Sequence, residues 1–185
     1  MYIDKDKFVT VFSKMTDEAS RPSLPLWKDL PDIELYMDQV ISIITRYFDN
    51  VASDKILTPS MVNNYVKLGT IPAPVRKKYS KAHIAYLFMV CTLKQMLDMA
   101  TIQKIIPVGL NEQEIAYIYD SFVKNQHKSY GYVAENVLNV ALPIFENEGE
   151  NQDRLNDLLL QVASAANIFK LLTEKLSVCG KNDVK

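Results

Sequence analysis

Thr58-Pro59-Ser60-Met61-Val62-Asn63-Asn64-Tyr65-Val66-Lys67-Leu68-Gly69 opens the run that decides how this chain is read, and Thr70-Ile71-Pro72-Ala73-Pro74-Val75-Arg76-Lys77-Lys78-Tyr79-Ser80-Lys81 completes it. Thr58 is a favoured N-cap, and Pro59 suits the first helical position. A short helix runs from there to Leu68, and Gly69 supplies the left-handed residue that closes it. Pro72 and Pro74 forbid helix beyond that point. Ser80 is placed to cap the next helix. Residues 83–93 are apolar nearly all round, the pattern of a helix buried on every side.

On the helix over 59–68, Met61, Val62, Tyr65 and Leu68 fall together and are expected to face inward. Ser60, Asn63, Asn64 and Lys67, at i, i+3, i+4 and i+7, share the opposite face. That outer stripe has donors, acceptors and one cation, but no acid. A solvated face usually favours Glu, Lys, Arg or Gln, which are better helix formers than Asn. Asn bonds bidentately to adenine in the major groove of double-stranded DNA. Ser60, Asn63, Asn64 and Lys67 are therefore the candidate base readers. The alternative is a polar surface helix that happens to lack acids.

The extension that follows adds cations. Arg76, Lys77, Lys78 and Lys81 lie within six positions around Tyr79. Such a cluster suits phosphates flanking a reading helix, and Thr58, Tyr65 and Tyr79 complete the candidate phosphate contacts. The helix start at Ser80 offers further N–H groups and a positive dipole end. A basic loop that only aids solubility is the alternative. Between Lys55 and Lys104 there are eight Lys or Arg against one acid, Asp98, a net +7 in a chain whose total is −1. That asymmetry makes nucleic acid the first partner to suspect.

The order of these features resembles the winged helix-turn-helix of the MerR regulators. Tyr65, Lys67, Gly69, Ile71 and Pro72 match the Tyr-x-Lys-x-Gly-x-Ile-Pro pattern of that family. Met99-Ala100-Thr101-Ile102 with Ile105-Ile106 is similar to its following helix. The chain departs from the family in carrying Asn63 where an arginine is usual, in a shorter wing without glycine, and in Lys81 in place of an arginine. From about Pro31 to Ile106 the chain also resembles a bacterial group known as domain of unknown function 1836, itself regarded as MerR-like. The resemblance implies a sequence-specific DNA-binding transcriptional regulator that forms a homodimer.

The rest of the chain reads as helix. Phe8, Val9, Phe12 and Met15 predict a first helix near 5–18. A proline-punctuated arm, Arg21 to Pro31, carries Leu24, Leu26 and Trp27 and is expected to pack on the body. Ile33, Met37, Val40, Ile41, Ile44 and Phe48 predict a helix over 32–49. A short helix near 101–106 ends at Pro107-Val108-Gly109. Asn111-Glu112-Gln113-Glu114 resembles a capping box, and two further helices are expected near 132–146 and 152–178. His127 is expected in a loop between, and Glu146 to Glu150 forms an acidic turn. The fold class is therefore all-α. An N-terminal helix and arm (1–30) precede a MerR-like winged head (31–108), and a C-terminal helical bundle (109–185) dimerises or senses a signal.

With 185 residues and 48% hydrophobic content the chain can build a real core. No apolar run reaches the roughly 20 residues of a membrane span. With no signal peptide evident either, a cytoplasmic location is expected. Cys91 and Cys179 have no metal-ligand spacing, and Cys91 reads as an inert core residue. His83 reads as structural or phosphate-adjacent. No catalytic grouping, Gly-rich phosphate loop or cofactor motif stands out, so neither an enzyme nor a cofactor is expected. Tyr117, Tyr119, Phe122, Tyr130 and Tyr132 are either core or the lining of a small-molecule effector pocket. The competing function is a helical adaptor whose basic face docks an acidic protein.

Overall fold

A computed structural model describes residues 6–7, 10–11, 13–14, 24–48, 56–146 and 151–179. Among these the fold is all-helical. After a single 3-10 turn at Trp27–Asp29 come six helices: α1 (Met37–Phe48), α2 (Pro59–Lys67), α3 (Lys81–Leu93), α4 (Met99–Ile105), α5 (Glu112–Glu146) and α6 (Asn151–Ser177). Residues 6–7, 10–11 and 13–14 are helical, while Phe8, Val9, Phe12 and Met15, on which the expected first helix rests, and the start of the arm at 21–23 lie outside the described residues.

Contacts group the chain into two compact units. One comprises Leu24–Val123 with Glu174–Lys185, the other Met1–Ser23 with Lys124–Thr173. Each is discontinuous in sequence, and two of the three boundaries fall inside α5 and α6.

In the first unit the core is organised around α3. His83 through Cys91 are all buried, nine successive residues, so no side of this helix meets solvent. Phe88 sits at its centre against Tyr47 and Tyr119, with ring centroids 5.2 and 6.3 Å away. Val40, Ile44 and Phe48 of α1, Val62 and Tyr65 of α2, and Ile102 of α4 bury their side chains in the same core. The proline-rich arm packs there as expected. Leu24 and Leu30 are buried, the Trp27 amide donates to Asp120 at 2.7 Å, and the Trp27 ring meets Tyr119 edge-on. Burial pushes the Cys91 thiol up to about 12, the property of an inert core residue.

Three sequence expectations change. The helix expected over 32–49 begins only at Met37, because Leu35 is extended and exchanges backbone hydrogen bonds with Tyr79 (2.9 and 2.8 Å). Ile33, counted in the apolar stripe, is 67% exposed as a result. The break expected around His127 is absent, since α5 runs unbroken from Glu112 to Glu146. Gly131 is the weakest helix former close to His127, and an interior glycine costs only about 1 kcal/mol. His127 is thus helical, with its Nδ1 buried and unpartnered among the described residues. The capping box at Asn111 holds, with reciprocal bonds to Glu114 of 2.9 and 3.0 Å. Of the acidic turn, 147–150 lie outside the described residues.

One core group is badly served. The Tyr119 hydroxyl is buried with no hydrogen-bond partner among the described residues, and burial raises its pKa well above the ordinary phenol value. An unpaired buried hydroxyl forfeits roughly 1–3 kcal/mol of solvation. Tyr119→Phe is therefore expected to leave stability equal or higher in urea denaturation. Phe88→Ala, which opens a cavity at the centre of the same cluster, is expected to lose about 3–5 kcal/mol.

Candidate nucleic-acid interface

Helix α2 is built to be short. The Thr58 hydroxyl accepts from the Met61 amide at 3.2 Å, and Pro59 occupies the first turn. At the other end Gly69 adopts φ +67°, the Gly69 amide bonds Val66 O at 3.0 Å, and the Thr70 amide reaches back to Tyr65 O at 2.9 Å. These are the two bonds of a Schellman closure. Val62 and Tyr65 anchor the inner face at 0% and 3% exposure. Leu68, expected inward, is 46% exposed because it lies at the C-cap, past the last helical turn that faces the core. Ser60, Asn63, Asn64 and Lys67 are all exposed.

The end of α2 is fastened from α4. Gln103 Nε2 donates to Leu68 O at 2.7 Å and to the Thr70 hydroxyl at 3.1 Å. Helix α4 is itself capped by Asp98, which accepts from the Thr101 amide at 2.7 Å, a bond that lowers the Asp98 pKa. Sequence reasoning passed over Gln103, because nothing local marks a residue whose partners lie 33 and 35 positions away.

Residues 75–79 form a tight basic hairpin. Val75 and Lys78 pair across it, and the Lys78 amide bonds Val75 O at 2.9 Å. The two central residues, Arg76 and Lys77, both have positive φ, +52° and +63°. This is the type I′ pattern, which ordinarily selects Asn-Gly or Gly-Gly. Each branched-out L-residue held there costs roughly 1–2 kcal/mol. The hairpin thus bears strain at the position where it presents two exposed cations. Beyond it, Tyr79 pairs with Leu35, adding a third extended segment.

The cations differ in their circumstances. Among the described residues no carboxylate pairs with Lys67, Arg76 or Lys77. Lys78 lies 3.6 Å from Glu34 and over the Tyr36 ring at 5.9 Å, with its side chain still 39% exposed. Lys81 is different again. It is ion-paired with Asp32, sits over the Trp27 ring at 5.4 Å and has a side chain only 12% exposed. It is a structural link between α3 and the arm rather than a free phosphate contact. Tyr65 and Tyr79 also change role. They are 3% and 2% exposed, their rings are core groups, and burial pushes Tyr65 up to about 12. They support the surface from beneath. Thr58 is half-buried and its oxygen already serves the cap.

The aromatics read as either core or the lining of an effector pocket differ in burial. Tyr119 is fully buried while Tyr117 and Tyr132 are 77% and 62% exposed. A cleft of about 270 Å³ lies elsewhere, bordered by Asp32, Glu34, Ser80, Lys81, Leu110 and Glu112. No cluster of metal-ligating side chains occurs among the described residues, and no helix there is long and apolar enough to cross a membrane.

Residues 25–122, just over half of the chain, match the family described as domain of unknown function DUF1836. The match includes the arm from Pro25 onward and the first part of α5, and so reaches further than the stretch over Pro31 to Ile106. No curated protein and no solved structure matches the chain.

The strained turn yields a test of its own. Arg76→Asn with Lys77→Gly installs the residues that a type I′ turn prefers. The double variant is expected to raise the melting temperature by several degrees or more, corresponding to about 2–4 kcal/mol of strain relieved at the two positions together. An unchanged or lower melting temperature in calorimetry would show that the turn stores no strain.

Proposed function

We propose that this chain, which belongs to the DUF1836 family, is a sequence-specific DNA-binding transcriptional regulator whose head works as a MerR-like winged helix-turn-helix. In this reading α2 enters the major groove, and Ser60, Asn63, Asn64 and Lys67 meet base edges. The hairpin is the wing, and Arg76, Lys77 and Lys78 hold flanking phosphates. The observation that carries the reading is the Arg76–Lys77 turn. Two adjacent cations kept in a left-handed conformation, with no carboxylate paired to them among the described residues, make little sense as solubility residues. A solubility loop would place the same charges on unstrained backbone. The acid-free, asparagine-bearing stripe of α2 supports the same conclusion.

Helix α6 supports a homodimer. Leu158, Val162, Ala165, Phe169, Leu172 and Leu176 alternate at spacings of four and three, the heptad seam of a coiled coil. Leu158 is buried, but Val162, Phe169, Leu172 and Leu176 are 41%, 54%, 48% and 59% exposed. Leu159 and Ile168 flank this seam at its edges, while Leu160 and Leu171 lie on the far side of the helix. An ordinary interface takes about 800 Å² from each partner, and the seam residues would form its apolar centre. A second copy presents a helix of matching length and spacing. Two heads related by a two-fold axis would then read a two-fold operator.

Selection of bound sequences from a random duplex pool, followed by titration at several salt concentrations, tests the reading. With about four phosphates held per head, log affinity is expected to fall with log salt at a slope of roughly −3 to −4 per head. Lys77→Ala is expected to weaken all duplexes alike and to flatten that slope by about 1. Asn64→Ala is expected to weaken the selected sequence alone, by about 1–3 kcal/mol. Equal affinity for selected and scrambled duplexes removes the specificity claim, and no binding at low salt removes the regulator reading in favour of a protein-docking adaptor. In light scattering the chain is expected to run as a dimer and Leu172→Glu as a monomer; a monomeric parent chain excludes the α6 pairing.

A further inference from the structure

We infer that His83 is a positioning residue, whose neutral imidazole holds both ends of the basic hairpin and whose protonation releases them. Its ring makes bonds in two directions. Nδ1 accepts from the Ser80 backbone amide at 3.0 Å and lies 2.8 Å from the Ser80 hydroxyl. Nε2 lies 3.3 Å from Ala73 O. A backbone N–H can only donate, so Nδ1 must be bare. The ring hydrogen then sits on Nε2, where it donates to the Ala73 carbonyl. Ala73 lies before the strained turn and Ser80 lies after it. A single side chain, 6% exposed, therefore bridges the entry and exit of the segment that carries Arg76 and Lys77.

The N3 position of such a cap is usually Glu or Gln. Histidine performs the capping task, adds the arm to Ala73, and brings a titration with it. A second proton must land on Nδ1, directly opposite the Ser80 amide. The Ser80 hydroxyl can turn to accept from it, but the amide cannot, so the backbone bond is lost. Burial lowers the His83 pKa below its ordinary value, with the Ala73 bond opposing that shift. The folded state thus favours the neutral ring. Its contribution is complete above the unfolded value of about 6.5 and is lost as pH falls through the lower folded value. The titratable group in contact with the ring is the Tyr79 phenol, edge-on at 5.5 Å, which stays neutral across this range. The neighbouring cations Lys78 and Lys81 are each paired with a carboxylate, Glu34 and Asp32.

The clamp stands on geometry alone, and its effect on DNA rests on the function proposed above. Nitrogen-15 spectra of the full-length protein test the clamp without DNA. At pH 7.5 the Nε2–H tautomer is expected, with a protected Ser80 amide. Between pH 7 and 5 the Ser80 amide and residues 73–79 are expected to shift together with the ring, while the amides of Leu87 to Val90 hold still. An Nδ1–H tautomer, or a Ser80 amide indifferent to pH, overturns the proposal whether or not the protein binds DNA. His83→Gln keeps an acceptor for the Ser80 amide and has nothing to titrate, and it retains His127. Wild-type affinity for the selected duplex is expected to fall by up to about tenfold per pH unit below the folded pKa, the limit for one linked proton, and His83→Gln is expected to stay flat. Equal pH dependence in both overturns the link to binding. A pH-sensitive hairpin on a protein that binds no duplex keeps the clamp and overturns the regulator reading instead.

Discussion

A helix without a polar side constrains everything around it. Helix α3 presents buried residues in all directions from His83 to Cys91, so other elements must enclose it completely. Helix α1, the inner face of α2, α4, the arm and the first part of α5 each supply one side of that enclosure. Their outer faces are then fixed by default. The stripe of Ser60, Asn63, Asn64 and Lys67 points to solvent because Val62 and Tyr65 are held inward. The hairpin is anchored similarly: Tyr79 and Ile71 are buried, and only the turn between them stands clear.

Much of this was legible in the sequence where the signal is local. Thr58, Pro59 and Gly69 mark the limits of α2 because caps act on the residues next to them. Ser80 and Asn111 mark helix starts for the same reason. The continuous apolar run of α3 declares its burial without any partner being known. The candidate surface residues on α2 follow from helical periodicity alone, which is why their exposure could be read in advance.

What escaped the sequence depends on partners distant along the chain. Leu35 leaves helix because it pairs with Tyr79, and nothing near Leu35 announces that bond. A count of cations does not reveal that Lys81 is bound to Asp32 and covered by Trp27 while Lys77 has no carboxylate partner among the described residues. The left-handed backbone at Arg76 and Lys77 ran against local expectation, since neither residue favours it. The hairpin's closure between Val75 and Lys78 imposes it. The continuity of α5 through Gly131 shows the converse, a local weakness overridden by the helix on both sides.

Gln103 has a mechanical consequence. Its amide donates to the carbonyl of Leu68, the C-cap of α2, and to the first buried threonine beyond it. The end of α2 is thereby tied to α4 by polar contacts, while Val62 and Tyr65 tie its inner face by burial. Loss of the Gln103 amide would loosen the end next to Lys67 and leave the buried anchors of the helix in place.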